Sequence, residues 1–412
     1  MERLSGRIEG AMELFRRPSV RRFMRTTFWV LVLCLLPAFS PPAASARSWC
    51  AQPLFVHEWG VQAFDSSGAP QSPTPIPPWF HRMGPAPTPV ASPVRHMQRD
   101  EGTRFLPVLH FYADGARSIP VGIEVGFTLG EASVWYPQVD TRRRVADANS
   151  AAALQRRAQL VQARAGRQPF VPNASTEPDP TRQLQWDHLT LTPAPSATPH
   201  RSRARMVRDL RAVDALWVNG AAESERFVFY EANTTERVAI RVTRGEEWAQ
   251  GRRHLILHND GAHPVHDVFL THRERGHDYV IYAPQIPAGR SAGFVLEDHA
   301  VSRRDRRAQT RGRLRTQLLE RQPRASEDCV MMRDPAIPVE SAGGHRLTSQ
   351  EIDVIDSVWG ARFFDGRGTT IVYREDTAHL DAVMPLSIYT DMHSYAVLNR
   401  AGLVVWNEVP LP

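Results

Sequence analysis

The sequence predicts a mainly β protein, α+β overall, with an antiparallel β-sandwich-like central domain, helical Arg-rich insertions and a small C-terminal α+β unit. Three observations carry that expectation. Short runs rich in Val, Ile, Phe, Tyr and Thr recur along the chain, separated by Gly, Pro and Asn turn residues. The run from Leu54 to Phe64, LFVHEWGVQAF, alternates with the period of 2 that a strand requires. Hydrophobic residues make up 42% of the 412, with 10 Trp and 17 Phe, which supplies a packed core and excludes wholesale disorder.

Residues 1–46 read as a signal peptide. Arg16 to Arg25 form a basic region, Phe28 to Leu36 a short apolar one, and Ala44-Ser45-Ala46 a small-residue cleavage site before Arg47. The apolar run is short for a membrane span, so membrane contact is expected only through this segment if it stays uncleaved. The mature chain is therefore expected to be secreted or periplasmic. All 50 basic residues are arginine, and the leader holds seven of them against three glutamates. Four of the net +6 charges thus sit in the leader and two elsewhere, a balance that points to no nucleic-acid partner. Of three cysteines, Cys34 leaves with the leader. Cys50 and Cys329 remain, an even pair expected to form a disulfide in an oxidising compartment.

Residues 47–140 read as an N-terminal β region. In its first strand Phe55, His57, Trp59, Val61 and Ala63 point one way, and Val56, Glu58, Gly60 and Gln62 the other. His57 and Glu58 are the candidate catalytic residues. Adjacent on a strand, they face opposite sides, and one site uses both only if a bulge re-aims one of them. A Pro- and Ser-rich loop follows at 65–100, then strands from Arg104 to Tyr112, Val121 to Leu129 and Val134 to Tyr136. Residues 141–215 read as a helical and loop insertion: an Ala/Arg-rich helix within 142–167, a strand from Leu184 to Leu191, and loop over 194–212.

Residues 216–300 suggest an immunoglobulin-like β-sandwich, in which HLILHNDGAHPVHDVFLTH reads as strand, Asn-Asp-Gly turn, strand. Six of the 16 histidines fall here, between His254 and His277. His254 and His258 share a strand face, and the turn is expected to bring His258 near His266. Neutral imidazole suits zinc or copper, so these three are the candidate metal ligands. A solvated sheet face that happens to use His is the alternative.

Residues 301–346 read as an Arg-rich linker, its run from Ser302 to Arg324 a basic linker or surface helix with nine arginines against Asp305 and Glu320. Residues 347–412 form the C-terminal unit. Thr348-Ser349-Gln350-Glu351 is a capping box opening a helix with Ile352, Ile355 and Trp359 inward and Gly360 at its end. Strand TIVY, a short helix over 377–383, and strands PLSIY, YAVLN and LVVW follow.

Zincin, P-loop, Gly-x-Ser-x-Gly, Cys-x-x-Cys and dinucleotide signatures are all absent. Several stretches together resemble an uncharacterised family of exported bacterial proteins, of planctomycete and myxobacterial type, that begin with a His-Glu-Trp-Gly motif. They are FVHEWGVQAF at 55–64, PVLHFYAD at 107–114, VWYPQ at 134–138, LQWDHLTLTP at 184–193, ERFVFYEA at 225–232, and the segment from DSVWGARFFDG to AVMPLSI near the end. Val61-Gln62-Ala63 replaces the family's usual Thr-Phe-Thr, and Glu231 stands where the family has Arg. The resemblance implies export and a shared architecture, with no reaction attached.

The expected function is that of an exported cell-envelope or extracellular binding or structural module, its partner a protein or glycan of the envelope. One alternative is a metal-dependent hydrolase using His57 and Glu58 or the histidines of 254–277. A second is a polyanion-binding envelope protein using the arginines of 303–324.

Overall fold

A computed structural model describes residues 50–68, 76–82, 102–115, 117–139, 183–234, 236–246, 252–274, 277–320, 344–391 and 393–410. The expected leader, the helix within 142–167 and Cys329, hence the Cys50–Cys329 bridge, lie outside these residues.

The chain is mainly β. Its first strands are β1 (Gln52–Phe64), β2 (His81–Arg82), β3 (Gly102–Tyr112), β4 (Ile119–Gly126), β5 (Gly130–Tyr136) and β6 (Gln183–Thr192). Helix α1 (Arg205–Ala212) leads to β7 (Trp217–Asn219), β8 (Ser224–Glu225), β9 (Val228–Thr234), β10 (Ile240–Arg244), β11 (His254–Asn259) and β12 (Val265–Glu274). Then come β13 (His277–Ile286), β14 (Ser291–Val295), β15 (Ala300–Val301), α2 (Arg303–Leu318), α3 (Ser349–Phe364), β16 (Gly368–Glu375), α4 (Thr377–Val383), β17 (Leu386–Thr390) and β18 (Ser394–Trp406).

Ten strands form one sheet in the order β15-β13-β12-β16-β18-β1-β3-β9-β5-β2. One face of it packs on helices: Trp59, Val61, Leu403 and Val405 meet Val207 and Leu210 of α1, Leu314 and Leu318 of α2, and Ile355 and Trp359 of α3. The other face is covered twice. The five-stranded sheet β17-β4-β6-β7-β8 buries Leu54, Val56 and Leu398. The three-stranded sheet β10-β11-β14 buries Phe64, Leu270 and Val404. Sheet-on-sheet layering is therefore present, since each apolar strand face needs a partner layer.

Strand β1 is central. It runs parallel to β18 in unbroken register from Gln52 opposite Ser394 to Phe64 opposite Trp406, and antiparallel to β3. Strands from the two ends of the sequence thus lie side by side inside one sheet. This corrects the division into an N-terminal region (47–140), a separate sandwich (216–300) and a C-terminal unit (347–412). Strands of 216–300 enter all three sheets, and residues 49–412 cluster as one compact unit.

Other elements depart from expectation for local reasons. Strands β11 and β12 do not pair. Buried Asn259 binds the carbonyls of His263 and Ile286 and accepts from the Gly261 N–H, so the Asn-Asp-Gly turn carries the chain between sheets. YAVLN and LVVW are one strand, because Gly402 faces Gly60 in register and the pairing passes through it unbroken. Helix α3 continues past Gly360 to Phe364. That glycine leaves room for the Asp356 carboxylate, which an added Cβ would meet at 2.6 Å. Within 194–212, α1 forms where loop was expected, with Met206, Val207 and Leu210 buried along one side. Of the arginine run, Arg303–Leu318 form a helix, α2, one of the two expected readings, capped by Ser302, whose side chain accepts from the Asp305 N–H. Its arginines meet acids: Arg306 with Asp278, Arg307 with Asp365, Arg311 with Asp356 and Arg315 with Asp353.

Candidate functional site

His57 and Glu58 are both buried, on opposite faces of β1, as strand geometry requires. No bulge brings them together. Each is the centre of its own ion-pair network.

On the helical face, His57 stands opposite His110 of β3 in the antiparallel register. Above them α3 begins with its capping box: the Glu351 N–H donates to Thr348 Oγ1 at 3.3 Å, and the Thr348 N–H to Glu351 Oε2 at 2.7 Å. The same Glu351 carboxylate takes both histidines, His57 Nδ1 at 2.8 Å from Oε2 and His110 Nδ1 at 3.2 Å from Oε1. His57 Nε2 lies 3.0 Å from Glu320 Oε2, and the Tyr112 ring packs 5.0 Å from the His57 ring. Burial alone would lower the His57 pKa. The Glu351 carboxylate, with help from Glu320, reverses this and raises it to about 9. Burial likewise works against an ionised Glu351, yet His57 and His110 hold its carboxyl well below the usual range. His57 is thus an imidazolium at neutral pH, hydrogen-bonded to Glu351 through Nδ1, with its Nε2 close to the Glu320 carboxylate. A doubly protonated ring has no lone pair for a base or a metal ligand.

On the other face, Glu58 faces Arg400 of β18 in the parallel register and binds its Nε. The Tyr230 hydroxyl donates to the second Glu58 oxygen. Arg400 completes its donor set with Asp381 Oδ1 at 2.7 Å and the Met384 carbonyl at 2.8 Å. Burial would lower the pKa of this guanidinium, and Glu58 raises it. The group ties β1, β18, β9 and α4 together.

The three candidate metal ligands are not assembled. His254 and His258 do share the half-exposed face of β11, with Leu255 and Leu257 buried behind. His258 Nε2 lies 2.6 Å from Thr243 Oγ1, and its Nδ1 2.6 Å from Ser291 Oγ. The His254 ring lies against Gly245 and Gly293, where a Cβ would meet it at 2.1 and 2.8 Å. His266 belongs to the ten-stranded sheet instead, with its Nε2 2.8 Å from Asp376 Oδ2. The correction follows from the chain crossing between sheets at Asn259.

A different group does converge. Glu236, just past β9, Glu375, the last residue of β16, and His379, in the first turn of α4, bring their ligand atoms within 4.8 Å of one another. His379 Nε2 is 2.9 Å from Glu236 Oε1 and 3.5 Å from Glu375 Oε1. Both carboxylate side chains are more than nine-tenths buried, while the imidazole is 29% exposed. Thr234 Oγ1 donates to Glu236 Oε2 at 3.0 Å and fixes that carboxylate. Asp376 caps α4 through the Ala378 N–H and so sets the helix turn that carries His379. Glu375 also lines a small cleft, together with Glu58, Gln62, Leu380, Met384 and Gly402.

Sequence reasoning missed His110, Glu320 and this acid–histidine trio. Glu351 was visible only as a helix cap. Glu375 and His379, four residues apart across a strand-to-helix junction, were the available signal for the trio. No protein-family model matches the chain, and no curated protein matches it.

Proposed function

We propose that this is an exported cell-envelope or extracellular protein acting as a binding or structural module, with a protein or glycan of the envelope as its partner. One observation carries the non-catalytic reading. His57 and Glu58, the catalytic candidates on β1, are both held in buried ion pairs that fasten other elements to that strand. The signal-like leader and the resemblance to exported proteins support the location, and a Cys50–Cys329 bridge belongs to the same proposal. The polyanion reading loses support from the acids that face the α2 arginines.

Cell fractionation followed by mass spectrometry of the chain tests this. A periplasmic or extracellular product starting at Arg47, two hydrogens lighter than its reduced form, is expected. A cytoplasmic chain retaining residues 1–46 would sink the export reading. On the functional side, His57→Gln is expected to lower stability. Metal-independent hydrolysis that vanishes in His57→Gln while stability is unchanged would overturn the non-catalytic reading.

A further inference from the structure

We propose that Glu236, Glu375 and His379 form a divalent-metal site that takes Zn²⁺. The inference goes beyond the export reading and does not depend on it. Donor type comes first: one imidazole and two carboxylates, without sulfur, are ligands that Zn²⁺ accepts, and three protein ligands leave the fourth position of a tetrahedral ion for water or a bound molecule. Geometry agrees. With metal–ligand distances near 2.0–2.1 Å, the edges of such a tetrahedron are about 3.3 Å long. The separations of 2.9 and 3.5 Å from His379 Nε2 to the two carboxylates bracket that length. A Ca²⁺ site would need six to eight oxygens, more than the four that two carboxylates carry.

The surroundings are built for a fixed ligand set. Thr234 orients Glu236, and the Asp376 cap, itself bonded to His266, holds the turn bearing His379. Gly402 makes room for the second oxygen of Glu375, which a Cβ there would meet at 2.5 Å. Glu375 also lines the small cleft beside Gly402.

The test is zinc titration of the purified full chain by calorimetry, after chelation and dialysis, with Co²⁺ substitution read by visible absorption. One equivalent of zinc per chain and the intense bands of four-coordinate Co²⁺ are expected. His379→Ala and Glu375→Gln should raise the Kd at least about 100-fold, and Thr234→Val, which removes only an orienting hydroxyl, about tenfold. His258→Ala, on β11 of another sheet, should bind as the parent does. Absence of stoichiometric zinc, or only six-coordinate Co²⁺ bands, in the parent would overturn the site whether or not a variant folds. So would unchanged affinity in His379→Ala, or loss of zinc in His258→Ala.

Discussion

Two histidine–carboxylate groups lie on opposite faces of the ten-stranded sheet, and their difference is one of access. The His57–Glu351–His110 group is wholly buried, and Glu351 serves two histidines and a helix cap at once. The Glu236–Glu375–His379 group has largely buried carboxylates, but its imidazole reaches the surface and one of its acids lines a cleft. Similar side chains serve different ends. Sealed from water, they form a clasp that holds α3 on β1 and β3, whereas at a cleft edge they form a seat for a cation. Burial of the imidazole, rather than residue type, separates the two roles.

The largest effect expected is on the clasp. Glu351→Leu leaves His57 facing Glu320 alone and His110 without its carboxylate, and should cost about 3–5 kcal/mol in urea denaturation, as removing one member of a buried ionic group does. A change under 1 kcal/mol would break the comparison. Arg400→Met should cost about 3 kcal/mol by stranding Glu58, and the double variant Glu58→Met/Arg400→Met should recover most of that.

The pH dependence sharpens the contrast. His57 is raised from an ordinary 6.5 to about 9 in the folded chain, so its contribution is fully present below pH 6.5 and lost as pH rises through 9. Stability measured by denaturation should fall by roughly 3 kcal/mol across that window. The fall should vanish in His57→Gln and persist in His379→Ala. Zinc should do the converse. At about 100 times its Kd it should add about 2.7 kcal/mol to the parent and to His57→Gln, and nothing to His379→Ala. Smallest of all, Thr348→Ala should cost about 1 kcal/mol, the loss of one helix cap, while leaving the pH window in place.

Much of the fold was legible. Strands β1, β3, β4, β5, β6 and β16 and helix α4 are found close to where alternation and turn residues put them, and the capping box at Thr348–Glu351 opens α3 as expected. These are local features, written in residue spacing. The opposed directions of His57 and Glu58 were legible for the same reason, since a strand has a period of 2.

What lay beyond the sequence is non-local. Whether β11 pairs with β12 or parts from it depends on Asn259 reaching the carbonyl of Ile286, 27 residues away. That β1 pairs with β18 depends on contacts spanning more than 340 positions, as in the Glu58–Arg400 bond. His266 parted from His254 and His258 into another sheet, while Glu236 met His379 across 143 positions. Residue types and strand periods determined which groups were available and which way each faced. Only the layering of sheets and helices decided which of them would meet, because burial and pairing energies are collected across the whole chain rather than along it.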